Sequence, residues 1–107
     1  MKKIILPLTP DQVFALDKLM QQLPLWKPTT PQAKAGKSIC LEVSSRINKI
    51  SHKIKQEADL FNPKKKEKID LKFYEAYAVF EFVNTFLPST GNNDYLQQVK
   101  DSIQKKL

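Results

Sequence analysis

The strongest hydrophobic pattern in the chain lies between Phe73 and Leu87, in the sequence FYEAYAVFEFVNTFL. A helix advances about 100° per residue, and on that spacing its apolar positions form one wide face, broadened by Val79 and Phe86. Six residues share the centre of this face: Phe73, Ala76, Tyr77, Phe80, Val83 and Leu87. Because each aromatic side chain buries on the order of 150–250 Å², the pattern predicts a buried helix around which the other elements pack. Glu75 and Glu81 are expected at the solvent-exposed edges of this helix.

The first 23 residues predict a strand followed by a helix. Residues 3–8 alternate between apolar and other positions, which indicates a strand, and Pro7 confines it to a sheet edge. Thr9 is then a typical N-cap, with Pro10 at the first helical position and Gln12 completing a capping box. Helix one is predicted from Pro10 to about Leu23.

The middle of the chain predicts a long connection and a long helix. Residues 24–37 form a Pro-containing connection, which we expect Trp26 to anchor to the core. The second helix begins either at Thr30-Pro31 or at Ser38, and both starts fit the pattern. Its apolar seam follows a repeat of eleven residues: Ile39, Val43, Ile47, Ile50, Ile54, Ala58 and Phe61. Residues 62–68 are predicted to be a basic loop.

Residues 68–73 alternate again, and two interpretations compete. They form either a strand that pairs with residues 3–8, or the start of the third helix with Asp70 as its N-cap; the ribbon is favoured. A last helix begins after Asn92 or Asn93 and carries a narrow apolar stripe: Leu96, Val99, Ile103 and Leu107. The predicted fold is mainly α: a single-domain bundle of about four helices in residues 1–107, with a short two-stranded β ribbon.

Charge and cysteine content limit the partners and the cellular location to be expected. The net charge is +7, and all of the excess lies between Lys27 and Lys72, which hold 12 Lys and Arg against 5 Asp and Glu. One cysteine, Cys40, allows no intramolecular disulfide and favours a cytoplasmic location. We expect no membrane contact, because no apolar run approaches the roughly 20 residues of a membrane span and the N-terminal run is too short for a signal peptide.

The sequence offers little catalytic chemistry. The single histidine, His52, lies twelve residues from Cys40 on the same predicted helix, beyond metal-ligand or Cys-His reach. Two glycines cannot build a phosphate-binding loop. Six helical residues separate Glu75 from Glu81, which places them on different sides. We therefore predict no enzyme activity, catalytic residue, metal, cofactor or small-molecule substrate.

Two binding surfaces are predicted instead. The first is basic and would contact an acidic partner or the phosphates of nucleic acid; its residues are Arg46, Lys49, Lys53, Lys64, Lys65 and Lys66. The second is an oligomer interface at Phe82 and Phe86, which lie far round the third helix from Phe73 and Phe80. Either a second copy or the chain's own N-terminal strand, Trp26 and last helix would cover these two rings.

The predicted function is a non-enzymatic interaction or assembly module, most simply a homodimer. The alternative is a basic accessory protein that makes non-specific phosphate contacts with nucleic acid. The partner is accordingly the chain itself, another protein, or nucleic acid.

Overall fold

The computed structural model describes residues 3–56 and 66–107 and contains, within them, two strands and four α-helices. In chain order the strands and helices are β1 (Lys3–Leu8), α1 (Pro10–Met20), α2 (Pro31–Gln56), β2 (Glu67–Lys72), α3 (Phe73–Phe86) and α4 (Asp94–Gln104). Short 3₁₀ turns lie at Leu23–Leu25 and Pro88–Thr90. The fold is the predicted mainly α bundle with a two-stranded ribbon.

The ribbon pairs β1 with β2 antiparallel, which confirms the favoured interpretation. Ile4 faces Leu71 and Leu6 faces Ile69 across the ladder, and all four side chains are buried against the helices. The interpretation of Asp70 as an N-cap is wrong, because Asp70 lies within β2 and α3 begins only at Phe73. Residues 67–72 form a strand rather than a helix start because their apolar alternation gives the ribbon one buried face.

Helix α1 begins as predicted. Thr9 Oγ1 accepts a hydrogen bond from the Gln12 backbone N–H at 3.3 Å, and Gln12 Oε1 accepts one from the Thr9 N–H at 3.0 Å. The helix ends at Met20 rather than Leu23, and Leu23 instead begins a 3₁₀ turn, Leu23–Leu25, that contains Pro24. Leu23 is nevertheless buried in the core.

Helix α2 begins at Pro31, the earlier of the two predicted starts, so the connection predicted at 24–37 is shorter than expected. Thr30 Oγ1 accepts from the Ala33 N–H at 3.1 Å and caps it. The predicted seam is confirmed at Val43 and Ile47, which are fully buried, and Cys40 joins them. The predicted continuation to Phe61 and most of the basic loop, 62–65, lie outside the described residues.

Helix α3 is rotated relative to the prediction. Its buried residues include Glu75, Ala76, Val79 and Val83, whereas Phe73, Tyr74 and Tyr77 are exposed. The predicted burial of Phe73 and Tyr77 is therefore wrong, and so is the predicted position of Glu75 at a solvent-exposed edge. The physical reason is an ion pair that draws Glu75 inward, described below.

Helix α4 packs against α1 and α3 and buries Leu96, Val99 and Ile103, as its stripe predicts. Asn93 caps it, since its Oδ1 accepts from the backbone N–H groups of the next turn at 2.9 and 3.2 Å. Leu107 was predicted to extend the stripe, but it lies beyond the helix end and is exposed.

Candidate functional site

An open groove lies between the N-terminal half of α2 and the solvent edge of α3, and we call it the α2–α3 groove. The helices run antiparallel, since Cys40 contacts Ala78 whereas Arg46, later in α2, contacts the earlier Glu75. The groove has a volume of about 530 Å³. Its lining is Trp26, Thr30, Gln32, Ala33, Ala35, Gly36, Ile39, Tyr74, Tyr77, Ala78, Glu81, Phe82 and Thr85.

Small residues on α2 leave the groove open. Ala33, Ala35 and Gly36 line it, and among the described residues a methyl group built on Gly36 would meet no atom within 4 Å apart from its neighbours in the chain and the nearby backbone of α2. The glycine has ordinary helical geometry rather than a left-handed conformation, because only Gly91 among the glycines has a positive φ. Gly36 therefore leaves room beside α2, and the backbone does not require it.

Aromatic residues form the other side of the groove. Trp26 packs on Phe82 and Phe86, with ring centroids 5.7 and 5.5 Å away, and Phe82 and Phe86 lie 5.1 Å from each other. Lys37 Nζ donates to the Trp26 carbonyl oxygen at 2.6 Å and holds that segment against α2. Since Trp26 covers both rings, the chain itself provides the cover, which was one of the two alternatives predicted for them.

This arrangement corrects the premise behind the predicted oligomer interface. Phe82 is only 2% exposed, and Phe86 is half-buried against the core. The aromatic side chains that reach solvent on α3 are instead Phe73, Tyr74 and Tyr77, with Tyr77 52% exposed. Sequence reasoning missed Phe73 and Tyr77 because it assigned both to the buried face.

Two polar side chains of the groove, Thr30 and Thr85, serve local structure. Thr30 caps α2, and Thr85 Oγ1 donates to the Glu81 carbonyl oxygen at 2.8 Å. Among the described residues, the one charged side chain that lines the groove is the exposed Glu81. Such a lining offers apolar contact area with one carboxylate at its rim, and it does not pair a nucleophile with a base.

The predicted basic stripe is only partly available to a partner. Arg46 forms an ion pair with the Glu75 carboxylate through Nη2 and donates through Nη1 to the Asp70 carbonyl oxygen at 3.1 Å. Glu75 also accepts from the Lys72 backbone N–H at 2.8 Å, so these groups form a clamp that joins α2, β2 and α3. The guanidinium thus has structural partners within the chain.

The other predicted basic residues are dispersed. Lys49 is exposed, and Lys53 Nζ lies 3.7 Å from Glu67 Oε2 in a surface ion pair. Lys66 is exposed just before β2, while Lys64 and Lys65 lie outside the described residues. His52 is exposed on α2.

Cys40 and the acidic residues do not form a reactive centre in the described part of the chain. Cys40 is buried, its thiol donates to the Ala78 carbonyl oxygen at 3.4 Å, and burial raises its pKa to about 12. Within residues 3–56 and 66–107, no group of three or more His, Cys, Asp or Glu side chains is placed to hold a metal ion. Among these residues there is also no helix with the length and apolarity to cross a membrane.

Comparisons with known proteins give no relative: no protein-family model matches the sequence, and no curated protein or solved structure shows significant similarity. The chain is therefore classified by its fold alone, which is a small mainly α bundle with a two-stranded ribbon. Its function must be argued from its own surfaces.

Proposed function

We propose that this chain is a non-enzymatic interaction module that forms a homodimer through the α2–α3 groove. The observation that supports the proposal is an apolar groove of about 530 Å³ that is open to solvent and bordered by the exposed rings of Tyr74 and Tyr77. Tyrosine and tryptophan are enriched at the centres of protein interfaces, because they bury a large area with few rotatable bonds.

A second copy is the proposed occupant because an exposed apolar side chain, Leu25, lies beside the groove in the sequence. Leu25 is 74% exposed and directly precedes Trp26, which lines the groove. In a two-fold dimer the Leu25 of each protomer would enter the groove of the other, so the same contact would form twice. Two-fold dimers are also the commonest assemblies.

Charge supports the same pairing. Lys27 is exposed two residues after Leu25, and Glu81 is the carboxylate at the groove rim. The segment that carries Leu25 therefore also carries a cation, and the groove rim carries an anion, so the proposed pairing places opposite charges opposite each other. A cytoplasmic location is part of the proposal, and its support is the single thiol of Cys40, which forms no disulfide.

The first test is sedimentation over a concentration series. We expect the wild-type chain to dimerise, and Gly36→Leu, which fills the groove, and Leu25→Ser, which removes the exposed apolar side chain, to be monomeric. Leu41→Ser is the matched control, because Leu41 is exposed and does not line the groove. Gly36→Ala separates the effect of filling the groove from that of changing helix propensity. A wild-type monomer at high concentration, or equal weakening by Leu41→Ser, would refute the proposal.

A charge exchange tests the geometry itself. Lys27→Glu and Glu81→Lys should each weaken the dimer, since each places like charges across the interface. The double variant restores opposite charges between protomers and should recover the affinity. Failure of the double variant to dimerise better than either single variant would exclude this pairing of surfaces.

A further inference from the structure

The solvent face of the ribbon is basic, because the strand register brings lysines from β1 and β2 together on it. Alternate residues of β1 and β2 point away from the core, and we call them the ribbon face: Lys3, Ile5 and Pro7 on β1, with Lys68, Asp70 and Lys72 on β2. Lys3 lies directly across the ladder from Lys72, and Pro7 lies across from Lys68.

Two lysines at directly opposed positions are unfavourable. Like charges facing each other across an antiparallel pair destabilise it, and salt reduces the effect only in part. The ion pairs found among the described residues include neither Lys3 nor Lys72. The only carboxylate on the ribbon face is Asp70, which lies opposite Ile5. A bound anion would relieve this repulsion.

Exposed rings adjoin the same charges. β2 continues without a loop into α3, whose first two residues, Phe73 and Tyr74, are 40% and 39% exposed. Lys72 Nζ lies 5.9 Å from the centroid of the Tyr74 ring, so an ammonium group and an aromatic face share one surface. Ile5 adds exposed apolar area at the centre of the ribbon face.

We propose that the ribbon face, together with Phe73 and Tyr74, binds single-stranded nucleic acid. Lys3 and Lys72 contact successive phosphates, and unpaired bases stack on the two rings, which is the combination that single-strand binding surfaces use. A duplex conceals its base faces, so it gains only the phosphate contacts. The surface is distinct from the predicted stripe on α2, and among its residues only Tyr74 also lines the α2–α3 groove.

The charge contribution is tested by anisotropy of labelled oligothymidylate over a salt series. Each phosphate contact on a single strand contributes about 0.7 to the slope of log affinity against log salt. The variant Lys3→Gln with Lys72→Gln should therefore lower the slope by about 1.4. Lys105→Gln with Lys106→Gln removes the same charge from exposed residues after α4 and should leave the slope near that of wild type.

The stacking contribution is tested by Phe73→Ser, which we expect to weaken binding at least about fivefold. Tyr95→Ser is the control, because Tyr95 is an exposed aromatic residue on α4, away from the ribbon. Wild-type chain should also bind oligothymidylate more tightly than the matched duplex. Equal affinity for duplex, equal effects of the paired lysine variants, or equally strong binding of an acidic peptide would overturn the proposal.

Discussion

Replacement of Arg46 by methionine tests the clamp that joins α2, β2 and α3. Methionine keeps much of the apolar stem of arginine but removes the donors to Glu75 and to the Asp70 carbonyl oxygen. The Glu75 side chain is only 7% exposed, so its carboxylate would retain in the protein only the Lys72 backbone N–H at 2.8 Å. A buried acceptor that loses its partner destabilises the folded state.

The expected loss follows from the burial of the two partners. Removing one member of a fully buried ion pair costs about 3–5 kcal/mol. The Arg46 side chain is 43% exposed, so water reaches this side of the clamp and replaces part of the lost interaction. We therefore expect the free energy of unfolding to fall by about 2 kcal/mol, which moves a urea midpoint by about 1 M.

Urea unfolding can be followed by the fluorescence of Trp26, the only tryptophan, and independently by helical circular dichroism. Lys53→Met is the matched control on the same helix, because Lys53 pairs with Glu67 at 3.7 Å and is more exposed. Exposed pairs contribute about 0–1 kcal/mol, so this variant should lose less than about 1 kcal/mol. Equal losses in the two variants would show that Arg46 is not a structural clamp.

A double-mutant cycle separates the pair from its surroundings. Glu75→Gln preserves the shape of the side chain and removes its charge, and combined with Arg46→Met it should show a coupling of about 1–2 kcal/mol. A coupling near zero would mean that Glu75 is buried for reasons other than Arg46.

Three further variants test other parts of the fold. Trp26→Ala removes the cover of Phe82 and should cost about 3 kcal/mol, measured by thermal unfolding; a loss below about 1 kcal/mol would contradict its anchoring role. Gly36→Ala should stabilise the chain by about 1 kcal/mol in the same assay, since its methyl group meets nothing; destabilisation would show that the groove is tighter than described. Burial raises the pKa of the Cys40 thiol from 9.0 to about 12, so it should resist alkylation near pH 8 in the folded state. Above pH 9 the unfolded thiol ionises first, and stability should fall by about 1.4 kcal/mol per pH unit relative to Cys40→Ala; a parallel pH profile would contradict this.

Local chemistry predicted the elements well. The capping box of Thr9 and Gln12 depends on contacts within four residues and can be read directly from the sequence. The local pattern also offered the start at Thr30-Pro31 and the cap at Asn93, but it left Ser38 and Asn92 open as alternatives. The ribbon was favoured because loose alternation in two segments gives them a shared buried face, although an N-cap at Asp70 was the competing interpretation.

The orientation of α3 was not predictable in the same way. Nearly every side of this helix is apolar, so periodicity alone does not decide which side faces the core. The deciding contact is Arg46 with Glu75, 29 residues apart in sequence. The α2–α3 groove escaped prediction for a related reason, since small side chains such as Gly36 produce no motif.

One buried carboxylate accounts for the surfaces we propose as functional. Helical residues two positions either side of Glu75 lie about 200° round the axis, so drawing Glu75 inward turns Phe73 and Tyr77 outward. Arg46 therefore favours the outward orientation of Phe73, which borders the ribbon face, and of Tyr77, which borders the groove. Exposed aromatic residues reduce solubility when they have no partner. Both proposed surfaces therefore depend on the same ion pair between Arg46 and Glu75.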